Sequence, residues 1–212
     1  MLKQNSATPM SLSRFEAFSD AVFAIAITLL IIEVKAPDLS NATPSQAVDK
    51  LLHVWPHLLG YVTSFLVIGV IWLNHHAMFH FLKRVDRTVL ILNLFLLMCV
   101  AFVPFPTALI GSYSHLQPVV IFYGFSLTGL GVAYNALWFY VVRQYVSGEG
   151  LMHQKEIQTA SRWTLGYPVS YAIATALALF STRLSIVLYT LIPLFYLFPS
   201  IIDQKAARKN TS

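Results

Sequence analysis

Polar and ionisable side chains lead directly into the first apolar segment of this chain. Arg14 is followed by the run Phe18-Ser19-Asp20, and a continuous apolar stretch begins at Ala21. An ionisable group at the mouth of a membrane helix is costly, so it usually has a partner and a function. The guanidinium, the hydroxyl and the carboxylate of this stretch therefore predict a polar network at one end of a helix.

A second polar group closes the second apolar segment, and it comprises Trp72, Asn74, His75 and His76. Its indole N–H, amide and imidazoles can hydrogen-bond a carboxylate or a hydroxyl. The loop charges described below place it at the same membrane depth as residues 14–20. We interpret both groups as one structural hydrogen-bond network that locks the ends of the two helices.

A catalytic metal site is the alternative reading of the histidines, and the spacing argues against it. Adjacent residues of a helix point about 100° apart, so His75 and His76 are poorly placed to chelate one ion. His80 is correctly spaced to join His76, but no carboxylate stands in an HExxH-type position. We therefore predict no catalytic residue, metal ligand or cofactor, and we do not expect an enzyme.

Composition indicates an integral membrane protein. The 212 residues are 57% hydrophobic and 11% charged, whereas an average soluble domain carries about 25% charged residues. The net charge of +5 does not indicate nucleic-acid binding, because the charged residues lie in short loops between apolar runs. The single cysteine, Cys99, lies in an apolar run and has no partner for an internal disulfide.

Six apolar segments of helical length divide the chain, and each is close to the roughly 20 residues that span a bilayer. Their continuous hydrophobicity argues against a β-barrel, whose strands alternate in polarity. We expect an all-α protein with six transmembrane helices in a single domain, residues 1–212. The expected helices are Phe18–Val34, Trp55–His76, Thr88–Ile110, Val119–Val142, Trp163–Phe180 and Leu184–Ile202.

The loop charges predict the orientation in the membrane. With the N-terminus inside, only Lys35, Lys50 and Arg183 of the 14 lysines and arginines lie outside the cell. The positive-inside rule therefore favours a cytoplasmic location for both termini. Asp86, in a basic inner loop, is expected to be solvated.

The first apolar segment is short, because its uncharged run covers only Ala21–Ile32. A helix that faces lipid on all sides needs a longer run, so this helix is expected to be shielded by its neighbours. The core of a cleaved signal peptide is the alternative, but Asp20 interrupts the charged lead-in and no good small-x-small cleavage site precedes Glu33.

Three aliphatic residues, Ile25, Leu29 and Ile32, form one stripe along this first helix at spacings of four and three residues. Thr28 borders the stripe at about 60°, and Asp20 points away from it. From helix geometry alone, such a stripe is typical of core packing or of lipid contact.

Two stretches carry a resemblance to a known family. One is Arg14-x3-Phe18-Ser19-Asp20 with the Ala-Val-Phe-Ala-Ile-Ala-Ile-Thr-Leu-Leu run after it, and the other is Trp72-Leu-Asn-His-His76. They resemble the signature of bacterial members of the transmembrane protein 175 family, which are potassium channels related to the endolysosomal potassium channel of animals. The six-segment layout and the length also fit.

The resemblance implies a tetramer in which the first helix of each subunit lines a central pore. The constriction would be formed by Ile25, Leu29 and Ile32, with Ile25 the narrowest layer and Thr28 beside them influencing the preference for potassium. The residues implied to hold the helix end are Arg14, Phe18, Ser19, Asp20, Trp72, Asn74, His75 and His76.

The function implied by this resemblance is a potassium-selective ion channel with a hydrophobic pore constriction. Its partners would be potassium ions, the lipid bilayer and other copies of the chain, in a bacterial plasma membrane. A secondary carrier is the alternative from another class, and it requires a central polar site that the sequence does not offer. Proton conduction through the same pore is a further alternative, motivated by seven histidines near the helix ends.

Overall fold

The computed structural model of the chain describes residues 11–82, 84–146 and 154–197, and the regular elements in these ranges are all helical. This confirms the all-α fold. The elements are α1 (Leu12–Leu29, continued by a 3-10 turn at Leu30–Glu33), α2 (Pro44–Leu52), α3 (Trp55–Phe79), α4 (Arg87–Phe102), α5 (Pro104–Tyr113), α6 (Gln117–Val141, continued by a π turn at Val142–Val146), α7 (Gln154–Leu177) and α8 (Thr182–Tyr196).

The six expected segments form helices, and two of these helices begin more than a turn before the expected residue. Helix α1 begins at Leu12 instead of Phe18, and α7 begins at Gln154 instead of Trp163. The added turns are polar, and hydropathy detects only the apolar part of a helix. The last expected segment ends at Ile202, and its residues 198–202 lie outside the described residues.

The third expected segment is divided into α4 and α5 at Val103. Pro104 and Pro106 have no backbone N–H, so the helical hydrogen-bond ladder is interrupted there. The Thr107 hydroxyl donates to the Val103 carbonyl at 2.8 Å, which gives that carbonyl a second donor at the break. The two helices together still provide one continuous apolar segment.

Four helical segments are long and apolar enough to cross a membrane, and a shorter apolar helix follows at Thr182–Tyr196. The four are Leu12–Glu33, Pro44–Phe79, Arg87–Tyr113 and Gln117–Val146. Helix α7 is more polar than these, and it packs between α6 and α8. The protein is therefore a multi-pass membrane protein.

The core of the protein is built around α6, which packs against α4, α5 and α7. Its Leu127, Leu130 and Trp138 side chains are fully buried. Helix α3 packs against α5, α6 and α8, and α1 packs against α3 and α4 at one side of the bundle. This position leaves one face of α1 without a neighbour in the described part of the chain.

Candidate pore helix and its polar anchor

One face of α1 is buried against α3 and α4. Phe15, Ser19, Phe23 and Ala26 are its buried residues, and Leu30 continues the same face into the 3-10 turn. These positions recur at spacings of three and four residues, as expected for one side of a helix. The buried face fixes the rotation of α1 about its axis.

The opposite face of α1 is apolar and open. Ile25 is 58% exposed, Leu29 43% and Ile32 64%, and Thr28 and Phe18 are exposed on the same side. The residues expected to line a pore, Ile25, Thr28, Leu29 and Ile32, therefore lie together on one uncovered surface of the chain. Contiguous exposed apolar surface of this kind marks contact with lipid or with another protein surface.

The Thr28 hydroxyl is bonded to its own helix. Oγ1 donates to the carbonyl of Ala24 at 3.0 Å and to that of Ile25 at 2.9 Å. A hydroxyl that donates in this way still has acceptor lone pairs. Thr28 thus places one oxygen acceptor beside the aliphatic stripe.

Asp20 and Trp72 join α1 to α3 directly. The Trp72 Nε1–H donates to Asp20 Oδ1 at 2.9 Å. The His76 ring lies against the Trp72 indole, with ring centroids 5.8 Å apart and the planes inclined by 27°. His76 Nδ1 is 3.5 Å from Glu16 Oε1 but makes no hydrogen bond within the described residues, so this contact is electrostatic and depends on protonation of the imidazole.

A buried chain of hydrogen bonds joins α1, α4 and α3. Ser19 Oγ donates to the Phe15 carbonyl at 3.0 Å and accepts from Asn93 Nδ2 at 2.9 Å. His75 Nε2 lies 2.8 Å from Asn93 Oδ1. An amide oxygen only accepts, so His75 carries a proton on Nε2. Ser19, His75 and Asn93 are all buried, which makes each of these bonds costly to lose.

The contacts between α1, α3 and α4 form a polar anchor that comprises Glu16, Ser19, Asp20, Trp72, His75, His76 and Asn93. Two of its residues were not expected from the sequence. Asn93 is a lone amide in the apolar run of α4, and Glu16 lies in the polar first turns of α1. A single buried amide among leucines is the signal that points to Asn93, because a polar group in hydrocarbon needs a partner.

Three expected members of the network lie elsewhere, and the first is Phe18, whose side chain is exposed on the open face of α1. Asn74 Nδ2 donates to the Val70 carbonyl at 2.8 Å, and the Asn74 carbonyl accepts from the Tyr134 hydroxyl at 3.3 Å, so this residue faces α6. Successive helix residues point about 100° apart, which separates Asn74 from His75. Arg14 is exposed, and its side chain has no hydrogen bond or ion pair within the described ranges.

Asp86 is also placed differently from the expected solvated loop. Its Oδ1 accepts from the Val89 backbone N–H at 2.9 Å and caps α4. Its Oδ2 accepts from the hydroxyls of Tyr140 at 2.8 Å and Tyr145 at 2.7 Å. This carboxylate therefore ties the start of α4 to the end of α6 and its π turn.

Metal-binding geometry is absent from residues 11–82, 84–146 and 154–197, which contain no group of three or more His, Cys, Asp or Glu side chains placed to hold an ion. The His76 and His80 rings meet edge to face at 5.0 Å. Two neighbouring imidazoles without a third ligand do not complete a tetrahedral site.

Comparison with known proteins connects this geometry to one family. A sequence model described as the endosomal/lysosomal potassium channel TMEM175 matches residues 14–104, which include both polar stretches and Asn93. A potassium channel of Streptomyces collinus is 38% identical over 195 residues, 89% of this chain and 92% of that protein. The human endosomal/lysosomal proton channel TMEM175 is 34% identical over 91 residues, 40% of this chain and 18% of that protein.

A solved structure agrees in fold as well as in sequence. The crystal structure of a lysosomal potassium-selective channel TMEM175 homolog from Chamaesiphon minutus matches with a TM-score of 0.78 at 33% identity. The match covers 88% of this chain and 96% of that one. Sequence and fold agree over nearly the whole length, and the chain belongs to the TMEM175 family.

Proposed function

We propose that this protein is a potassium-selective ion channel whose pore is lined by α1. The observation that carries the proposal is the open face of α1, where Ile25, Leu29 and Ile32 are exposed while the opposite face is buried. The names of the Streptomyces collinus relative and of the Chamaesiphon minutus structure, both described as potassium channels, support it.

Four copies of the subunit enclose the pore in this proposal, with the open faces of α1 turned toward the shared axis. Such an arrangement covers the apolar face with three copies of itself and with the permeating water. It also accounts for the short apolar run of α1, because a helix surrounded by protein and pore need not match the thickness of lipid.

The constriction works by dewetting. Aliphatic side chains offer no oxygen ligands, so a closed ring of them excludes water, and a small widening or rotation of α1 admits hydrated ions. Potassium holds its water less tightly than sodium, so a narrow apolar passage penalises sodium more. Selectivity obtained in this way is modest, and the Thr28 oxygen beside the stripe adds to the preference for potassium.

The polar anchor holds the inner end of α1 in register with α3 and α4. Two separate connections, Asp20 to Trp72 and Ser19 through Asn93 to His75, resist rotation of the helix about its axis. Buried hydrogen-bonded networks of this kind specify one arrangement of the packed helices. The anchor thereby keeps Ile25 directed at the pore axis.

The orientation and the compartment complete the proposal. Both termini are cytoplasmic, as the distribution of lysine and arginine over the loops indicates. The Streptomyces collinus relative, which matches over 89% of this chain, is bacterial, and this supports a place in the bacterial plasma membrane. The anchor then lies at the cytoplasmic end of the pore.

A second candidate function is proton conduction through the same pore. It is favoured by the pair His76 and Glu16 at the inner end of α1, 3.5 Å apart, and by the naming of the human relative as a proton channel. Histidine acts as a proton shuttle in many proteins, so an imidazole beside a carboxylate at this place fits the passage of protons.

Reversal potentials in planar bilayers separate these candidates. With KCl on one side and NaCl on the other, the channel gives fast currents that reverse toward the potassium equilibrium potential. Currents that reverse toward the proton equilibrium potential under a pH gradient support the second candidate. Slow, saturable uptake into liposomes without bilayer currents identifies a carrier. The aliphatic stripe of α1 would then serve in helix packing and would not line a pore.

A further inference from the structure

A cavity of about 490 Å³ lies between α3, α5, α6 and α8, on the side of the bundle that carries Trp55 and Arg183. It extends along α3 from Trp55 to Thr63 and along α8 from Arg183 to Thr190, which is roughly 12 Å at 1.5 Å per residue. Ligand pockets in proteins typically enclose about 300–1,000 Å³. The cavity is therefore large enough for a chain-like ligand.

Four hydroxyls in the cavity wall, those of Thr63, Thr190, Tyr123 and Tyr189, already have partners. The hydroxyls of Thr63 and Thr190 bond each other at 3.1 Å, and the Tyr123 hydroxyl bonds that of Ser64 at 2.8 Å. The Tyr189 hydroxyl donates to a backbone carbonyl of α6 at 3.3 Å. Leucine, isoleucine, proline and glycine residues supply most of the remaining wall. The interior suits an apolar chain that makes no hydrogen bonds.

Arg183 places a positive charge at the mouth of this cavity. It is the second residue of α8, and its side chain has no ion pair or hydrogen bond within the described ranges. A cation in the first turn adds to the positive end of the helix dipole, so an anion is needed to balance it. A guanidinium binds phosphate through two parallel hydrogen bonds.

The surface around the mouth belongs to the membrane. Trp55 at the rim is 64% exposed, and indoles are enriched at the headgroup level of a bilayer. Leu58 on α3 and Leu184 and Val187 on α8 are exposed beside the cavity. These exposed apolar side chains suit contact with acyl chains, and the indole at the rim suits the headgroup level at which Arg183 would then lie.

We propose that this cavity binds an anionic phospholipid, with one acyl chain between α3 and α8 and its phosphate on Arg183. In the orientation proposed above, the lipid comes from the outer leaflet. The site is separate from α1, so it does not depend on the pore assignment. The bound lipid ties α8 to α3 and fills the space between them.

Native mass spectrometry of the purified protein tests the site, with phosphatidylglycerol and phosphatidylcholine of matched acyl chains in equal amounts. We expect the unmodified protein to retain phosphatidylglycerol with about tenfold preference, because both lipids offer a phosphate to Arg183 but the cationic choline of phosphatidylcholine opposes the positive charge at the mouth. Arg183→Gln is expected to remove that preference. The matched control Lys50→Gln, which removes an outer charge that does not line the cavity, is expected to keep it.

A second pair of variants tests the cavity without changing any charge. Gly60 lines the cavity, and a Cβ there meets its nearest atom, Ile110 Cγ2, at an ordinary contact distance of 3.5 Å, so we expect the side chain of Gly60→Leu to occupy cavity volume. Gly69 lies on the same helix with no atom within 4 Å of a Cβ and does not line the cavity. We expect Gly60→Leu to lose the bound lipid and Gly69→Leu to retain it.

Several results would overturn the proposal. One is an equal lipid profile for Arg183→Gln and Lys50→Gln, and another is equal retention by Gly60→Leu and Gly69→Leu. Glycerol phosphate has the headgroup but no acyl chains. If it binds as tightly as phosphatidylglycerol, the cavity does not contribute to lipid binding. A changed oligomeric mass of Gly60→Leu with unchanged lipid retention would identify the cavity as a contact between subunits.

Discussion

The Asp20 carboxylate accepts the Trp72 indole N–H at 2.9 Å and so links the first turns of α1 to the end of α3. Asp20→Ala leaves that N–H without its acceptor in a partly buried position. Loss of a hydrogen bond to a charged acceptor costs about 1.5–3 kcal/mol. We expect Asp20→Ala to lower the thermal stability and the tetramer yield in detergent, while the selectivity of the remaining channels is unchanged.

A double-mutant cycle with Trp72→Phe isolates this bond. The coupling free energy between the two sites is expected to be about 1–2 kcal/mol, since residues in direct contact do not add independently. Asp49→Ala on the exposed helix α2 is the control, with an expected effect within about 0.5 kcal/mol. Additive effects of the Asp20 and Trp72 substitutions, or altered conductance at normal tetramer yield, would contradict the anchoring role.

Asp86 makes the stability depend on pH. Burial opposes ionisation of this carboxyl, but hydrogen bonds from the Val89 backbone and from the Tyr145 and Tyr140 hydroxyls outweigh it and lower its pKa from the ordinary 3.8. A lowered pKa in the folded protein contributes stability above the ordinary value, and this is lost as the pH falls through the lowered one.

Asp86→Asn keeps a capping oxygen but removes the charge. We expect it to destabilise the protein by about 1–2 kcal/mol near neutral pH, because hydrogen bonds to a charged acceptor are stronger than neutral ones. The gap between the two proteins should shrink as the pH falls below about 4, in thermal unfolding followed by tryptophan fluorescence. A gap that is constant or grows toward acid would show that the charge does not stabilise the fold.

The sequence predicts part of the anchor and misplaces the rest for a physical reason. The sequence indicates three members of the anchor, because polar groups at the ends of apolar helices need partners. These are Ser19, Asp20 and His75. Which partner each one meets depends on how the helices rotate against one another, and this is decided by packing. Asn93 was not expected, because it lies on α4 whereas the polar motifs of the sequence lie on α1 and α3. Asn74 contacts α6 instead of α1.

Hydropathy predicts that each apolar helix exists, but it does not predict the residues at which the helices begin. The apolar core of each segment is visible in the sequence, whereas the early turns of α1 and α7 are polar and extend each helix beyond it. The break between α4 and α5 does follow from the sequence, since Pro104 and Pro106 remove two backbone donors. The residue types thus predict where a helix is interrupted by proline better than they predict where a helix begins.

The contact between α6 and α7 depends on a glycine. A Cβ at Gly131 would lie 2.7 Å from Tyr167 Cδ1 and 3.0 Å from Pro168 Cβ, so the helices approach more closely than alanine allows. We expect Gly131→Ala to destabilise the subunit by about 1–3 kcal/mol through overpacking. Unfolding measured by size-exclusion chromatography after heating checks this.

Gly129 provides the matched control on the same helix, because no atom lies within 4 Å of a Cβ there. Gly129→Ala is expected to be neutral or slightly stabilising, since alanine favours a helix over glycine by up to about 1 kcal/mol. Equal stability of the two alanine variants would show that close approach at Gly131 does not support the α6–α7 contact.

At the scale of the whole molecule, the subunit is a bundle around α6 with α1 at its side. Neighbouring helices pack around this core, while α1 keeps one apolar face open and is held through its polar anchor to α3 and α4. Such a subunit has one rigidly held helix with an uncovered face, and assembly around an axis covers it. The proposed tetramer and the proposed pore therefore depend on the same open face of α1.

The permeability ratio of an Ile25 variant tests that proposal most directly. Ile173 on α7 is the matched control, because both isoleucines are 58% exposed in the subunit. With KCl and NaCl on opposite sides of a planar bilayer, Ile25→Asn is expected to conduct without closing fully and to lose most of its preference for potassium, while Ile173→Asn keeps the reversal potential of the unmodified channel. An unchanged reversal potential in Ile25→Asn would contradict a pore lined by α1.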